Sequence, residues 1–172
     1  VSLRRSESLL VEIITPEEYE IAVKHIELVE GNEVISHYIN NLKKREYKIT
    51  FEFGGYIFNG YIDGIGSNYE LDLKTVPDAS PDQFKWKIER EKYHWQHYLY
   101  SNCNLIGSWF DAFNLLVDGE YGISLHKIPK DKIFQAEKEI LNLLEKFRQC
   151  TETNSWHMNY EFWTDGKGYF EY

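Results

Sequence analysis

The 172-residue chain carries only two cysteines, Cys103 and Cys150, too few for a disulfide framework or a four-cysteine metal cluster. That scarcity fits a reducing cytoplasm. No apolar run approaches the length that spans a bilayer and no charged-then-apolar leader opens the chain, so no membrane partner is expected. The start at Val1 suggests an excised or processed segment, which leaves open whether sequence precedes it. Basic residues are in deficit: 19 Lys and Arg stand against 28 Asp and Glu, and the formal net charge of −9 opposes binding to a polyanion. There is no G-x-S-x-G nucleophile elbow and no P-loop, and His94 and His97 lack the i,i+4 spacing of a zincin. Gly54-Gly55 and Gly64-x-Gly66 read as turn glycines, because neither opens a helix. Repeats and low-complexity segments are missing too. What is abundant is core material, 42% hydrophobic and 16% aromatic, enough for a single domain over 1–172 and short for two.

Hydrophobic periodicity orders the elements. Thr15-Pro16-Glu17-Glu18 is a capping box opening a helix to about Val29, Gly31-Asn32 breaks it, and Glu33 to Leu42 is a second helix. Strands follow at 49–53, 56–65 and 69–76. Ser80-Pro81-Asp82-Gln83 has the pattern of a second capping box, and the helix it opens is predicted to run on past Tyr100. Residues 104–117 read as a strand with an irregular middle at Asp111, Asp118-Gly119 as a hairpin turn into 121–128, and 129–148 as a final helix. The order implies an α/β fold with a central mixed sheet flanked by helices in three layers.

Chemistry concentrates in the second and third strands. If Ser67-Asn68 is a two-residue loop, Gly66 pairs with Tyr69 and Asp63 lies directly opposite Asp72, with Cβ atoms about 5 Å apart. A loop one residue different makes the pair diagonal. Alternation places Tyr61, Asp63, Glu70, Asp72 and Lys74 on one face and Ile62, Leu71 and Leu73 on the core face. Opposed carboxylates repel unless a cation lies between them, and hard oxygen ligands suit Mg²⁺ or Mn²⁺. On the following helix Phe84, Ile88, Trp95 and Leu99 form an apolar stripe, flanked by Glu89, Tyr93, Gln96 and Tyr100. That flank reads either as a polar helix edge or as a set of groups facing the strand carboxylates.

Glu46, Gly60-Tyr61-Ile62-Asp63, Leu71-Asp72-Leu73-Lys74-Thr75, Asp78-Ala79-Ser80-Pro81 and the segment Gln96 to Tyr100 together resemble the PD-(D/E)XK nuclease superfamily. Within it the chain looks most like the RecE, or exonuclease VIII, group of phage and prophage exonucleases, over roughly residues 15 to 160. The resemblance implies a restriction-endonuclease-like core and Mg²⁺- or Mn²⁺-dependent hydrolysis of DNA, most simply from double-stranded ends in recombination. It also implies that Asp63, Asp72 and the Leu73 carbonyl hold the metal, with Glu46 as the further acidic ligand; Glu52 competes with Glu46 because strand register is not visible in sequence. Lys74 would orient or deprotonate the attacking water, a task suited to an amine whose pKa can fall. Gln96 and Tyr100 would support the site and meet the DNA backbone.

Lys85, Lys87, Arg90 and Lys92 crowd the motif helix as candidate phosphate contacts, although such runs are commonly solvated faces. A homo-oligomer would focus these weak patches despite the acidity. A recombinase partner and a bacterial host cytoplasm complete what the resemblance implies. The tail 156–172, rich in Trp, Tyr and Phe, is expected to dock on the body or on a neighbouring subunit, or to stack on single-stranded bases. An endonuclease of the same fold and a non-catalytic binding module stand as alternatives.

Overall fold

The computed structural model describes residues 14–103, 106 and 110–156. Five strands form one sheet in the order β1-β2-β3-β4-β5: β1 Lys44–Phe53, β2 Tyr56–Ile65, β3 Tyr69–Val76, β4 Asp111–Asp118 and β5 Ile123–Ile128. The pairs are antiparallel except β3 with β4, which is parallel. A parallel neighbour requires a crossover, and here it carries two helices, α3 Pro81–Arg90 and α4 Tyr93–Ser101. The sheet is therefore mixed and of the α/β class, as the element order predicts.

Helices cover both faces. On one side α1 Pro16–Gly31 and α2 Glu33–Asn40 bring Val29, Ile35, Tyr38 and Ile39 onto Leu71, Leu115, Ile123 and Leu125. On the other, α3, α4 and α5 Lys130–Thr153 bury Phe84, Tyr98, Ile133, Ala136 and Ile140 against Val76, Ala112, Leu116 and Ile128. The α5 stripe weakens toward its C-terminus, where Leu143 and Phe147 are exposed. The Thr15 capping box forms as predicted, with Glu18 N–H donating to Thr15 Oγ1 at 3.2 Å and Thr15 N–H to Glu18 Oε2 at 2.7 Å.

Several expectations are corrected. The Ser80 side chain makes no cap; Asp78 Oδ1 instead accepts the Ser80 N–H at 2.7 Å, so an Asx turn leads into α3. The single motif helix is two helices, because Lys92 adopts the left-handed conformation (φ 56°) and restarts the chain as α4. β1 begins at Lys44 rather than Ile49. The β4–β5 connection is a longer turn in which Asp118 Oδ1 accepts the N–H groups of Glu120 and Gly122, so β5 begins at Ile123. Of the predicted irregular strand 104–117, only residues from 110 on, with 106, are described, and β4 begins at Asp111. Gly54 and Gly55 both have positive φ, the requirement of the two-residue turn that joins β1 to β2. Trp156 packs edge-on to Phe147 at 5.6 Å, and the rest of the aromatic tail lies outside the described residues.

Candidate active site

The β2–β3 hairpin takes the register of a two-residue turn. Gly64 pairs with Leu71 and Ile65 with Glu70, and Gly66 N–H donates to Tyr69 O at 2.9 Å. One step further that register would set Asp63 opposite Asp72, but the paired residues end at Gly64 and Leu71. There the ladder stops: Leu73 N–H donates not to the β2 backbone but to Asp63 Oδ2, at 2.7 Å. β2 departs from β3 at Asp63 while it stays paired to β1, so the predicted alternation breaks. Ile62 is buried with Ile49 and Tyr100, Leu71 lies in the opposite layer with Ile35, and Leu73, expected in the core, is 50% exposed.

The acidic strand residue is distinguished by register. Arg45 pairs with Gly64 and Tyr47 with Ile62, so Glu46 between them stands across from Asp63. Glu52 pairs with Ile57 instead, about 20 Å along the strand at 3.3 Å per residue. Glu46 is in the left-handed region (φ 46°), an unusual conformation for a non-glycine residue within a strand. Burial pushes the Asp63 carboxyl above the usual carboxylate range, and the charges of Asp72 and Glu46 push the same way, against the Leu73 N–H and Lys74.

Asp72 is buried, with both carboxylate oxygens in polar contact. Lys74 Nζ lies 2.7 Å from its Oδ2, Gln96 Nε2 donates to its Oδ1 at 2.7 Å, and Asn114 Nδ2 is 3.4 Å from Oδ2. Lys74 donates also to Gln96 Oε1 at 2.8 Å and lies 5.1 Å from the centre of the Tyr93 ring. Gln96 Nε2 reaches Tyr100 Oη at 2.5 Å, and Tyr100 O–H donates to Tyr61 O at 2.8 Å, tying α4 to β2. Burial raises the Tyr100 phenol far above its ordinary range, so it stays a donor. The structure thus brings Asp72, Lys74, Gln96 and Tyr100 into one hydrogen-bonded group beside Asp63, with Glu46 across the strand pair. Glu89, predicted on the same flank, is carried away by the helix break and pairs with Lys132 of α5.

Behind Asp72 is a second layer that the sequence reading did not assign. Glu70 and His97 are buried, with Oε1 and Nδ1 2.7 Å apart, and Asn114 Nδ2 lies 2.9 Å from His97 Nε2. Burial raises the Glu70 carboxyl; for His97 burial works downward, but the Glu70 carboxylate prevails and raises it. Among the described residues Glu70 Oε2 and Asn114 Oδ1 have no hydrogen-bond partner, and Glu70 and His97 line a cavity of about 10 Å³, the room of a single water. Asn114 was legible as the one polar side chain within the run Ala112–Val117, and Glu70 by its place on the Asp72 face.

Asp63 and Asp72 are hard oxygen donors, the residue type that could hold Mg²⁺ or Mn²⁺. A cation beside the half-buried Asp63 would offset the repulsion from Asp72 and Glu46 that pushes its carboxyl upward. Among the described residues, no three histidine, cysteine or carboxylate side chains converge as a metal-holding group. The four candidate phosphate contacts are divided. Arg90 pairs with Glu91 and Lys92 with Glu139, whereas Lys85 and Lys87 on α3 make no ion pair among the described residues.

No protein-family model matches the sequence, and no curated protein matches it either. Among solved structures, the chain is similar to a candidate exonuclease from Eubacterium rectale, with a TM-score of 0.62 and 14% identity over 81% of this chain and 55% of that one. The chain therefore spans about half of that structure, and the likeness is one of fold. A second structure, SSO0001, superposes at a TM-score of 0.39 with 15% identity over 75% of this chain and 61% of its own.

Proposed function

We propose that the protein is a Mg²⁺- or Mn²⁺-dependent deoxyribonuclease. The observation that carries this reading is the placement of Lys74 Nζ between Asp72 Oδ2 and Gln96 Oε1, beside Asp63. Asp63, Asp72 and the Leu73 carbonyl would hold the ion, which when bound supplies charge neutralisation at the phosphate and a more acidic water. Lys74 commits two of its three N–H directions to Asp72 and Gln96, leaving one for a phosphate oxygen or the attacking water. Gln96 fixes the Lys74 amine, and Tyr100 fixes Gln96 against the β2 backbone, so the group is held before substrate arrives.

The reading extends to an exonuclease on double-stranded DNA ends in phage or prophage recombination, working as a homo-oligomer with a recombinase partner in the bacterial cytoplasm. The fold likeness to a candidate exonuclease and the motif resemblance support it. End-labelled linear duplex and closed circular DNA, each with and without Mg²⁺, provide the test. Loss of label from the linear duplex only, strictly with the ion, is expected; cutting of circles indicates an endonuclease, and activity without a divalent ion or undiminished in Lys74→Ala refutes the mechanism.

A further inference from the structure

Beside the Gln96–Tyr100 face of α4 runs a groove of about 310 Å³, within the lower range of small-molecule sites. Phe51 and Phe58 of the β1–β2 arm form one wall, their rings stacked at 5.5 Å with 12° between planes. Trp95 and Leu99 of α4, with Lys92 just before the helix, form the other. On a helix of 3.6 residues per turn, 95 and 99 make one stripe and 96 and 100 the adjacent one. Gln96 and Tyr100 therefore line both the groove and the carboxylate centre, and the two are continuous.

A third feature marks the groove as open by construction. Gly60 lies inside β2 at its edge, where glycine weakens a strand and often marks close approach of a ligand. Its φ is not positive, and a Cβ there would meet nothing nearer than Ile49 Cγ1 at 3.9 Å. Neither backbone conformation nor packing demands glycine at this position; a larger side chain would occupy the groove. The charged groups at the groove are Lys92, shared with Glu139, and Glu91, paired with Arg90.

We propose that this groove seats one unpaired nucleobase of the DNA strand whose phosphodiester lies at Asp63 and Lys74, stacked against the Phe58 and Trp95 rings. The inference rests on the nuclease reading and adds the form of the substrate: a strand end whose terminal bases are separated from their complement. Flat aromatic walls recognise any base by its π-face, so recognition is tolerant of sequence.

The test uses the full chain, Ca²⁺ in place of Mg²⁺, and single-stranded oligonucleotides carrying 2-aminopurine or an abasic site at successive positions. Expected are quenching at one position only, and binding weakened roughly 10- to 100-fold when that base is removed, the range of one base–aromatic stack. Phe58→Ala and the blocking variant Gly60→Val should each show a comparable loss and no further penalty from the abasic site; Gly60→Val removes no contact, so it stands even if Phe58→Ala fails to fold. Equal binding of base-bearing and abasic strands, or wild-type binding by Gly60→Val, overturns the proposal, as does failure to bind any oligonucleotide. Mg²⁺-dependent hydrolysis measured in parallel separates the two readings, because it persists if only the groove assignment is wrong.

Discussion

Replacing Asp63 by Asn should stabilise the metal-free protein while removing its response to Mg²⁺. The Asp72 charge pushes the Asp63 carboxyl upward, and two charges on the order of 5 Å apart at an effective dielectric between that of a protein surface and water repel by about 1–3 kcal/mol. Asn retains an oxygen to accept the Leu73 N–H but gives up the attraction of Lys74. The net gain is therefore set at about 1 kcal/mol, a rise in Tm of about 2–4 °C for a chain of this length. Thermal melts in EDTA and in saturating Mg²⁺ measure both parts. Wild type should gain about 2.7 kcal/mol at an Mg²⁺ concentration about 100 times its Kd, and Asp63→Asn far less. The sign of the pH dependence follows from the raised carboxyl: ionising it disfavours the folded state, so stability from this group is complete at acid pH and is lost as pH rises through its folded pKa. The advantage of Asp63→Asn should accordingly close as the medium is acidified. A variant that melts at or below wild type in EDTA near neutral pH refutes the reasoning, because the two carboxylates would then not be in conflict.

Other perturbations probe the layers around this pair. Asp118 accepts the N–H groups of Ala79, Glu120 and Gly122, so Asp118→Ala should cost about 2–4 kcal/mol in urea unfolding. Those same backbone hydrogen bonds hold its carboxyl below the usual range, so its stabilisation is full above about pH 4 and is lost as pH falls through the lowered value, a component Asp118→Ala should lack in acid melts. Gln96→Ala frees Lys74 and Tyr100 together and should lower kcat on DNA by roughly 100-fold with the fold retained, the effect of about 1 Å of misplacement; steady-state kinetics beside circular dichroism checks it. His97→Ala leaves Glu70 buried without its partner and should destabilise by about 3–5 kcal/mol, whereas a double replacement of His97 and Glu70 by Leu should recover much of that loss in a double-mutant cycle.

The sheet, its helices and the hairpin register were readable because each depends on local signals: turn glycines, a capping box, alternation. What failed was non-local. The capping-box pattern at Ser80 lost to Asp78, whose side chain satisfies the same stretch of backbone. The left-handed Lys92 is not encoded by a glycine or asparagine, and it redirected a stripe that assumed one continuous helix. Leu73 was assigned to the core on strict alternation, which does not anticipate that β2 leaves β3 at Asp63. Alternation set Asp72 and Lys74 on one strand face, whereas Gln96 and Tyr100 read equally as a polar helix edge until the motif resemblance was added, and Glu46 was separable from Glu52 by register only once β1 was paired. Glu70, His97 and Asn114 come from three elements and meet only in the packed interior.

The parallel pairing of β3 with β4 bears on when competence is acquired. The β1–β2 and β2–β3 pairings close over tight turns, whereas Asn114 can meet Asp72 only after residues 77–110 have been looped and the crossover helices docked. Contacts of such sequence separation form slowly relative to hairpins. During synthesis Asp63 and Asp72 thus emerge, and can pair, well before the chain that orients them exists. A growing or half-folded molecule has the acidic pair but neither Gln96 nor Asn114 in place, so the surroundings of Asp72 are completed only after the crossover helices and β4 have docked.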